Sequence, residues 1–517
     1  EELEYFDRVF VEIEGPRARA ALGDISLDQR TSSFSPLVRQ LRGFSGAAWS
    51  SFGRASIAGA ETKGEFRSVA FRGTTGLQGP YALLSAARTT LDVIIAGTER
   101  VSIDGIRVER GPNRDYTVDY DAGTITFTPR RLITSDTEIS VDFESTAEDY
   151  SRSTLLGAAE RVTLGRGVVL GFMVAREADD KSDSKSISLS EDDVDVLEAA
   201  GDDASAAITG GVTPTDPGQG NYVLVPADTL AGTPDFYRFD ELLGDYQVSF
   251  VEVDANTGDY RRAGISSRGT PYFEFVGANA GSYRVGRSLP LPTSVDVATA
   301  RIAREQGALT FDGEWNVSRF DRNLFSSIDD DDNVGNAGQL RIGLESRGDW
   351  RLGISGLASV LEERFQSFDR ARPAYYYRDW NLEDVALTGR EATQEVTVSA
   401  ARTTLGSAKL TASHLDRDDF EGWKEEAVVT AGRLDDRGVA VRAFGSDTDG
   451  DANQRTRRHL TSEVAYGVWK VVPGVTYGNE NYRNAFDAAP DSGRAYELFG
   501  AHLASRAASR LVWRVDG

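Results

Sequence analysis

The sequence predicts an all-β protein: an antiparallel transmembrane β-barrel with inserted small β-sandwich domains. Three observations predict it. Apolar and polar residues alternate with period two, as in Val396, Val398 and Ala400 against Glu395, Thr397 and Ser399, so successive side chains fall on opposite faces of a sheet. From about residue 293 onward, tight turns alternate with longer polar segments, the rhythm of an up-and-down barrel with one short rim and one looped rim. Both faces also carry many small residues (Ala431, Gly432, Ala440, Gly467, Gly500), too thin a filling for two sheets stacked ~10 Å apart.

Residues 1–75 read as the initial barrel strands, with long stretches at Val9–Ile13, Ala18–Leu27, Arg39–Ser50, Arg54–Ala58 and Glu65–Phe71. Residues 76–146 differ: short strands at about ten-residue spacing, with turns at Asp104-Gly105 and Ala122-Gly123, predict a β-sandwich insert, either a plug or a periplasmic appendage. Residues 147–178 form a further barrel hairpin around Gly165-Arg166-Gly167. Residues 179–220 are acidic and rich in Ser, Asp, Gly and Pro, hence a loop, with one short helix. Ser190 is its expected N-cap with Asp193 at N3, Leu189 and Val194 the expected staple, and Gly201 the stop. Residues 221–292 are a second short-stranded β-unit, and residues 293–517 are barrel hairpins with long outer loops. The turns fall at Glu305–Gly307, Ser346–Asp349, Thr403–Gly406, Leu434–Gly438, Trp469–Gly474 and Ser505–Ser509. The long segments are Arg319–Asn336, Glu362–Asn381, Asp416–Glu425, Ser446–Arg458 and Asn479–Arg494. Trp315, Trp350, Trp380, Trp423, Trp469 and Trp513 lie mostly near strand ends, where an aromatic girdle sits at lipid–water interfaces.

Composition narrows the chemistry. The 517 residues carry 81 acidic and 57 basic side chains, a net charge of −24, no Cys, and only His414, His459 and His502. No disulfide, thiolate metal site or cysteine nucleophile is available, and the acidity argues against nucleic acid as a partner. Gly-x-Ser-x-Gly and a Walker loop are absent, so the expectation is no enzyme and no catalytic residue. The chain starts at Glu1 without a signal-like segment, which points to a processed or excised chain, and Leu511–Val515 reads as though another strand should follow. It has no run of about 18 apolar residues, whereas a membrane-crossing strand needs only about 9–11; its mean hydropathy of −0.36 is compatible with a barrel.

Several stretches carry a resemblance. Gly79-Pro80-Tyr81, Gly97-Thr98-Glu99-Arg100-Val101, Asp115-Tyr116-Thr117-Val118-Asp119-Tyr120 and Gly123-Thr124-Ile125-Thr126-Phe127 resemble a module of large Gram-negative outer-membrane β-barrels, and Asp321-Arg322-Asn323 with Ser327–Gly335 resembles their loops. The translocon barrel of the type IX secretion system is the nearest comparison, and fimbrial ushers, whose β-sandwich plug interrupts the barrel strands, a more distant one. The resemblance implies an outer-membrane location, a bilayer and lipopolysaccharide as surroundings, and an exported protein or periplasmic component as partner; it carries over no functional residue.

Two acidic stretches are candidate calcium loops: Asp329, Asp331 and Asn333, and Asp447, Asp449 and Asp451, where alternate residues offer hard oxygen ligands. Neither has the glycine or the terminal Glu of an EF-hand, and a solvated rim is the plainer reading. Calcium is thus the only cofactor expected at all. Arg364, Arg370, Arg372 and Arg378 with Tyr375, Tyr376 and Tyr377 form a basic aromatic loop suited to a sugar, a polyanion or lipid, or to interfacial packing. The function expected is non-catalytic translocation, transport or surface assembly through a polar lumen gated by the insert. The alternative is a secreted or surface-attached multi-β-sandwich adhesin or glycan-binding protein, and a third option is a carbohydrate-active enzyme on a β scaffold.

Overall fold

A computed structural model describes residues 9–516, apart from 63, 85–92, 136, 147–148, 186, 227–233, 268, 305, 383–388, 404, 451–452, 469–470, 487–491 and 506–513. It is all-β, and its main element is one antiparallel sheet of 18 strands. In chain order these are Phe10–Glu14, Ala18–Gln29, Leu37–Ser50, Gly53–Thr62, Tyr150–Gly165, Val168–Ser184, Ser294–Arg304, Leu309–Asp321, Val334–Glu345, Arg351–Leu361, Glu391–Arg402, Gly406–Arg417, Phe420–Arg433, Arg437–Gly450, Asn453–Tyr466, Val471–Phe486, Ser492–Ser505 and Arg514–Asp516. Each pairs with the next, so the sheet is a continuous meander. Two excursions leave the meander without breaking its ladder: Glu61 pairs with Ser153 across the first, and Ala178 with Ser294 across the second.

Strict alternation explains this registry. A slip of one residue would exchange every outward apolar side chain for an inward polar one, so each hairpin has one favoured pairing. Three expected long segments turn out to be largely strand. Asn479–Arg494 holds the end of Val471–Phe486 and the start of Ser492–Ser505, paired up to Asn484 and Ser492. Asp416–Glu425 makes a tight turn between Arg417 and Phe420, and Ser446–Arg458 continues two ladders up to Gly450 and Asn453. Polar sequence suggests loop, but the ladder satisfies backbone groups whatever the side chains are. No helix among the described residues is long and apolar enough to cross a membrane, which says nothing about strands.

The first excursion is built from two small sheets. Glu65–Arg72 pairs along its whole length with Glu138–Ser145, which also takes Arg100–Ile103 and then Ile106–Arg107. A second sheet joins Tyr81–Ala82, Thr124–Phe127 and Tyr116–Asp119. Val101, Ile103, Ile125, Phe127, Ile139, Val141 and Phe143 form a shared apolar core. The unit therefore begins at Glu65, and Glu65–Phe71, read from sequence as an opening barrel strand, belongs to the insert: its Val69 and Phe71 pack on that core.

The second excursion begins with the helix Glu191–Ala200. Its capping box is the expected one: Ser190 Oγ accepts from Asp193 N at 3.2 Å, and Asp193 Oδ2 accepts from Ser190 N at 3.0 Å. Gly201, with φ 59°, ends it. Two four-stranded sheets follow. One comprises Val212–Pro214, Tyr246–Val248, Tyr222–Val225 and Phe236–Phe239; the other Phe250–Glu252, Tyr283–Val285, Tyr260–Ile265 and Pro271–Phe275.

Candidate functional site

The two faces of the 18-stranded sheet have inverted polarity. On the outer face the ladder aligns Leu309, Leu344, Ile354, Val398, Leu410, Ala427, Ala443 and Leu460 in one row across eight strands. Leu344, Ile354, Val398 and Leu410 are each about half exposed, at 49–57%. Leu22, Phe44, Ile57, Leu155, Phe172 and Val174 continue the apolar face on the early strands. Charges bound it. Arg42–Asp24 at 3.5 Å and Arg176–Asp296 at 3.1 Å lie on one side, and Arg304, Arg351, Arg402 and Arg437 mark the strand ends on the other. From Asp296 to Arg304 the strand rises ~26 Å at ~3.3 Å per residue.

The inner face buries polar groups instead. Glu314, Asn316, Ser318, Thr299, Thr154, Glu177, Glu391, Arg417, Arg457 and Glu480 are all buried. Some are paired within the sheet, as Thr299 Oγ donates to Asn316 Oδ1 at 2.7 Å, and others are satisfied by two segments that fold inward. The shorter, between Gln29 and Leu37, brings Ser33 N to within 2.9 Å of Glu314 Oε1. The longer, Glu362–Leu382, includes the basic aromatic loop. It was expected at an outer rim but runs through the interior and touches strands from nearly both ends of the meander. Asp369 pairs with Arg39 on Leu37–Ser50; Gln366 N donates to Ser318 Oγ at 2.9 Å; Thr448 Oγ donates to Trp380 O at 2.8 Å. Arg378 Nη2 donates to both carboxylate oxygens of Glu480, at 2.8 and 2.9 Å, and Arg457 on the neighbouring strand reaches both Glu480, at 2.7 Å, and Asn381 Oδ1, at 3.0 Å. The sheet thus curls around this segment.

The insert docks on the same segment. Arg370 pairs with Asp142 at 2.6 Å and donates to Ser140 Oγ at 2.8 Å, and Arg378 Nε lies 3.3 Å from Glu138. Gly105 sits against the ring of Tyr375: a Cβ there would come within 2.7 Å of it, so this turn needs glycine both for its φ of 73° and for its neighbour.

The guanidinium groups read as ligand-binding are therefore occupied within the chain. Arg372 is held by Glu391 at 2.6 Å; Tyr376 donates to the same carboxylate at 2.9 Å, and Arg417 completes it at 3.1 Å. Tyr377 packs on the cluster of Trp380, Leu382 and Leu415. Arg364 alone stays at the margin, half-exposed and 3.9 Å from Asp332. The calcium candidates do not converge. Asp329 starts a short 3-10 turn with φ 67°, Asp331 points to solvent, and Asn333 is buried and donates to Asp330 at 2.8 Å. Asp447 is on a strand and paired with Arg458 at 2.8 Å, Asp449 is likewise on that strand, and Asp451 lies outside the described residues. Among the described residues no group of three or more His, Asp or Glu is arranged to hold a metal ion. Of the girdle candidates, Trp315, Trp350 and Trp423 are about half exposed, Trp380 is fully buried in the interior, and Trp469 and Trp513 fall outside the described residues.

One feature escaped the sequence reading. The two sheets of residues 212–285 are a tandem repeat: Gly220-Asn221-Tyr222 recurs as Gly258-Asp259-Tyr260, and Gly244-Asp245-Tyr246 as Gly281-Ser282-Tyr283. The halves clasp reciprocally. Tyr237 N donates to Tyr260 Oη at 2.8 Å, and Phe273 N donates to Tyr222 Oη at 2.9 Å. Phe236 stacks on Phe275 and Phe239 on Tyr272, with centroids 4.6 and 4.4 Å apart. These rings floor an open cleft of about 700 Å³ edged by Arg238 and Glu274. The recurring Gly-x-Tyr spacing was the signal available in the sequence.

Comparison with known proteins adds one match. The family described as Domain of unknown function (DUF8818) matches residues 66–147, which coincide with the insert. No curated protein matches the chain.

Proposed function

We propose that the chain is a transmembrane β-barrel protein of a Gram-negative outer membrane, acting without catalysis in translocation, transport or surface assembly. Its lumen is stopped from within by Glu362–Leu382 and by the insert, whose two sheets form a small sandwich. The observation that carries this reading is the inverted polarity of the main sheet. A sheet whose exposed face is Leu, Ile and Val and whose buried face is Arg, Glu, Asn and Thr suits lipid outside and a polar, occupied lumen inside. In water the same arrangement would expose a contiguous apolar surface far beyond the few hundred Å² that soluble monomers tolerate. The surroundings are then bilayer lipid and lipopolysaccharide, and the cargo or partner is an exported protein or a periplasmic component. The test is purification with and without detergent, followed by reconstitution into liposomes. The expected result is aggregation without detergent and recovery with the vesicles. A monodisperse monomer in plain buffer that leaves vesicles unoccupied overturns the reading.

The aromatic cleft of the tandem repeat favours a second reading, a surface-attached glycan binder, because stacked rings beside charged groups suit sugar faces and hydroxyls. Oligosaccharide binding that is lost in Phe239→Ala, by a protein soluble without detergent, would support it.

A further inference from the structure

Where the insert, the inward segment and the sheet meet, three carboxylates face one buried guanidinium. Arg39, on Leu37–Ser50, is 2% exposed. It holds Glu177 of Val168–Ser184 at 3.1 Å, pairs with Asp369 of the inward segment, and donates to Phe368 O at 2.9 Å. Glu144, from the insert strand Glu138–Ser145, is the third acid and is only 4% exposed. It accepts a hydrogen bond from the Gln40 backbone, while its Oε2 has no partner among the described residues. The other charges nearby are Arg100 of the insert, which faces Asp369 and reaches Val38 O at 3.4 Å, and Arg152, which is committed to Asp179 at 2.8 Å. Thr154 adds only a hydroxyl, donated to Glu177 at 3.2 Å. Three negative charges face Arg39, which is committed to two of them, and Arg100, whose hydrogen bond goes to a backbone carbonyl; one negative charge is left over, and an ionised carboxylate without a partner in a dry junction is costly.

We infer that Glu144 is a proton-linked latch: protonated, it lets the insert stay docked on the sheet and the inward segment, and ionised, it loosens that docking. The carboxyl is placed for this, since its free oxygen carries the proton and its bonded oxygen continues to accept from Gln40. Burial, partly offset by Arg39, pushes the Glu144 carboxyl up to about 7 from an ordinary 4.5, and burial also raises Asp369. An acid with a raised value in the docked state binds more protons there than in the undocked state. Docking is therefore strongest below about pH 4.5, weakens as pH rises toward 7, and levels off above that. The change is up to roughly tenfold per pH unit across this window. The inference rests on the packing alone and holds whether or not the chain crosses a bilayer.

The chain has no Cys, so Ser140→Cys, at the contact with Arg370, gives one thiol that is covered while the insert is docked. Its maleimide labelling rate in the full chain, normalised to free cysteine at each pH, is expected to rise severalfold from pH 5 to 7.5. Glu144→Gln, isosteric with the protonated acid, should abolish the rise and hold labelling slow throughout. Asp369→Asn removes a like charge and should move the midpoint toward acid. A flat profile in the Glu144 protein, or an equal slope in Glu144→Gln, overturns the latch. If Glu144→Gln fails to fold, the Ser140→Cys profile and the direction of the Asp369→Asn shift still decide it.

Discussion

Around Glu362–Leu382 the interior is built on two carboxylates, each given more than one partner. Glu480, 2% exposed, receives Arg378 and Arg457 together with the hydroxyl of Tyr496, and Glu391 receives Arg372, Arg417 and Tyr376. Removing one member leaves a desolvated charge under-compensated, whereas such a pair adds little stability over apolar packing. Arg378→Ala is accordingly expected to cost about 3 kcal/mol, because Arg457 remains beside Glu480 while Glu138 loses this contact. Differential scanning calorimetry in detergent should show the lowered midpoint, and Arg378→Lys should recover only part of it, since one ammonium cannot reach Glu480 and Glu138 as the separate Nη2 and Nε groups do. An effect below about 0.5 kcal/mol would mean that the contact is solvated. At the helix start the scale is smaller: Ser190→Ala removes one half of the capping box and should cost about 1 kcal/mol.

At the scale of elements, local chemistry was legible and distant pairing was not. The Ser190–Gly201 helix, the alternating hairpins and the short-stranded character of the insert follow from residues close together in sequence. The placement of Glu65–Arg72 does not: its alternation suits either sheet, and Glu138–Ser145, its chosen partner, lies far along the chain. The inward course of Glu362–Leu382 was equally hidden. An Arg- and Tyr-rich stretch looks the same on a rim as in an interior, and the acids that decide, Asp142, Glu391 and Glu480, are scattered among 81 acidic residues. The insert's own core, built around Ile125, Val141 and Phe143, yields a prediction. Residues 64–146 expressed alone should fold with a cooperative thermal transition, and a chain in which Thr62 is joined to Asp149 by a short Gly-Ser linker should retain the meander, because Gly53–Thr62 already pairs with Tyr150–Gly165. Circular dichroism of both pieces checks this; an unfolded 64–146 fragment would show that the insert depends on the sheet.

For the whole molecule, the question is whether the outer face meets lipid or water, and the two solvents treat one substitution in opposite ways. Val396 lies midway along Glu391–Arg402, outward and 53% exposed, between Gly356 and Ala412 in the ladder. Ala400 is on the same strand and the same face, but near the charged end at Arg402. Against hydrocarbon, Val396→Arg should cost about 2–4 kcal/mol and Ala400→Arg no more than about 1, because the penalty for a cation falls steeply from midplane to interface. Against water, Val396 is an exposed and Ala400 a half-buried surface position, and both changes should fall within about 0.5 kcal/mol of neutral. Urea unfolding in lipid vesicles reads the difference directly. A depth-dependent penalty identifies the apolar band as a membrane surface, whereas two neutral substitutions would leave the inverted polarity to be explained by a protein partner that covers the belt.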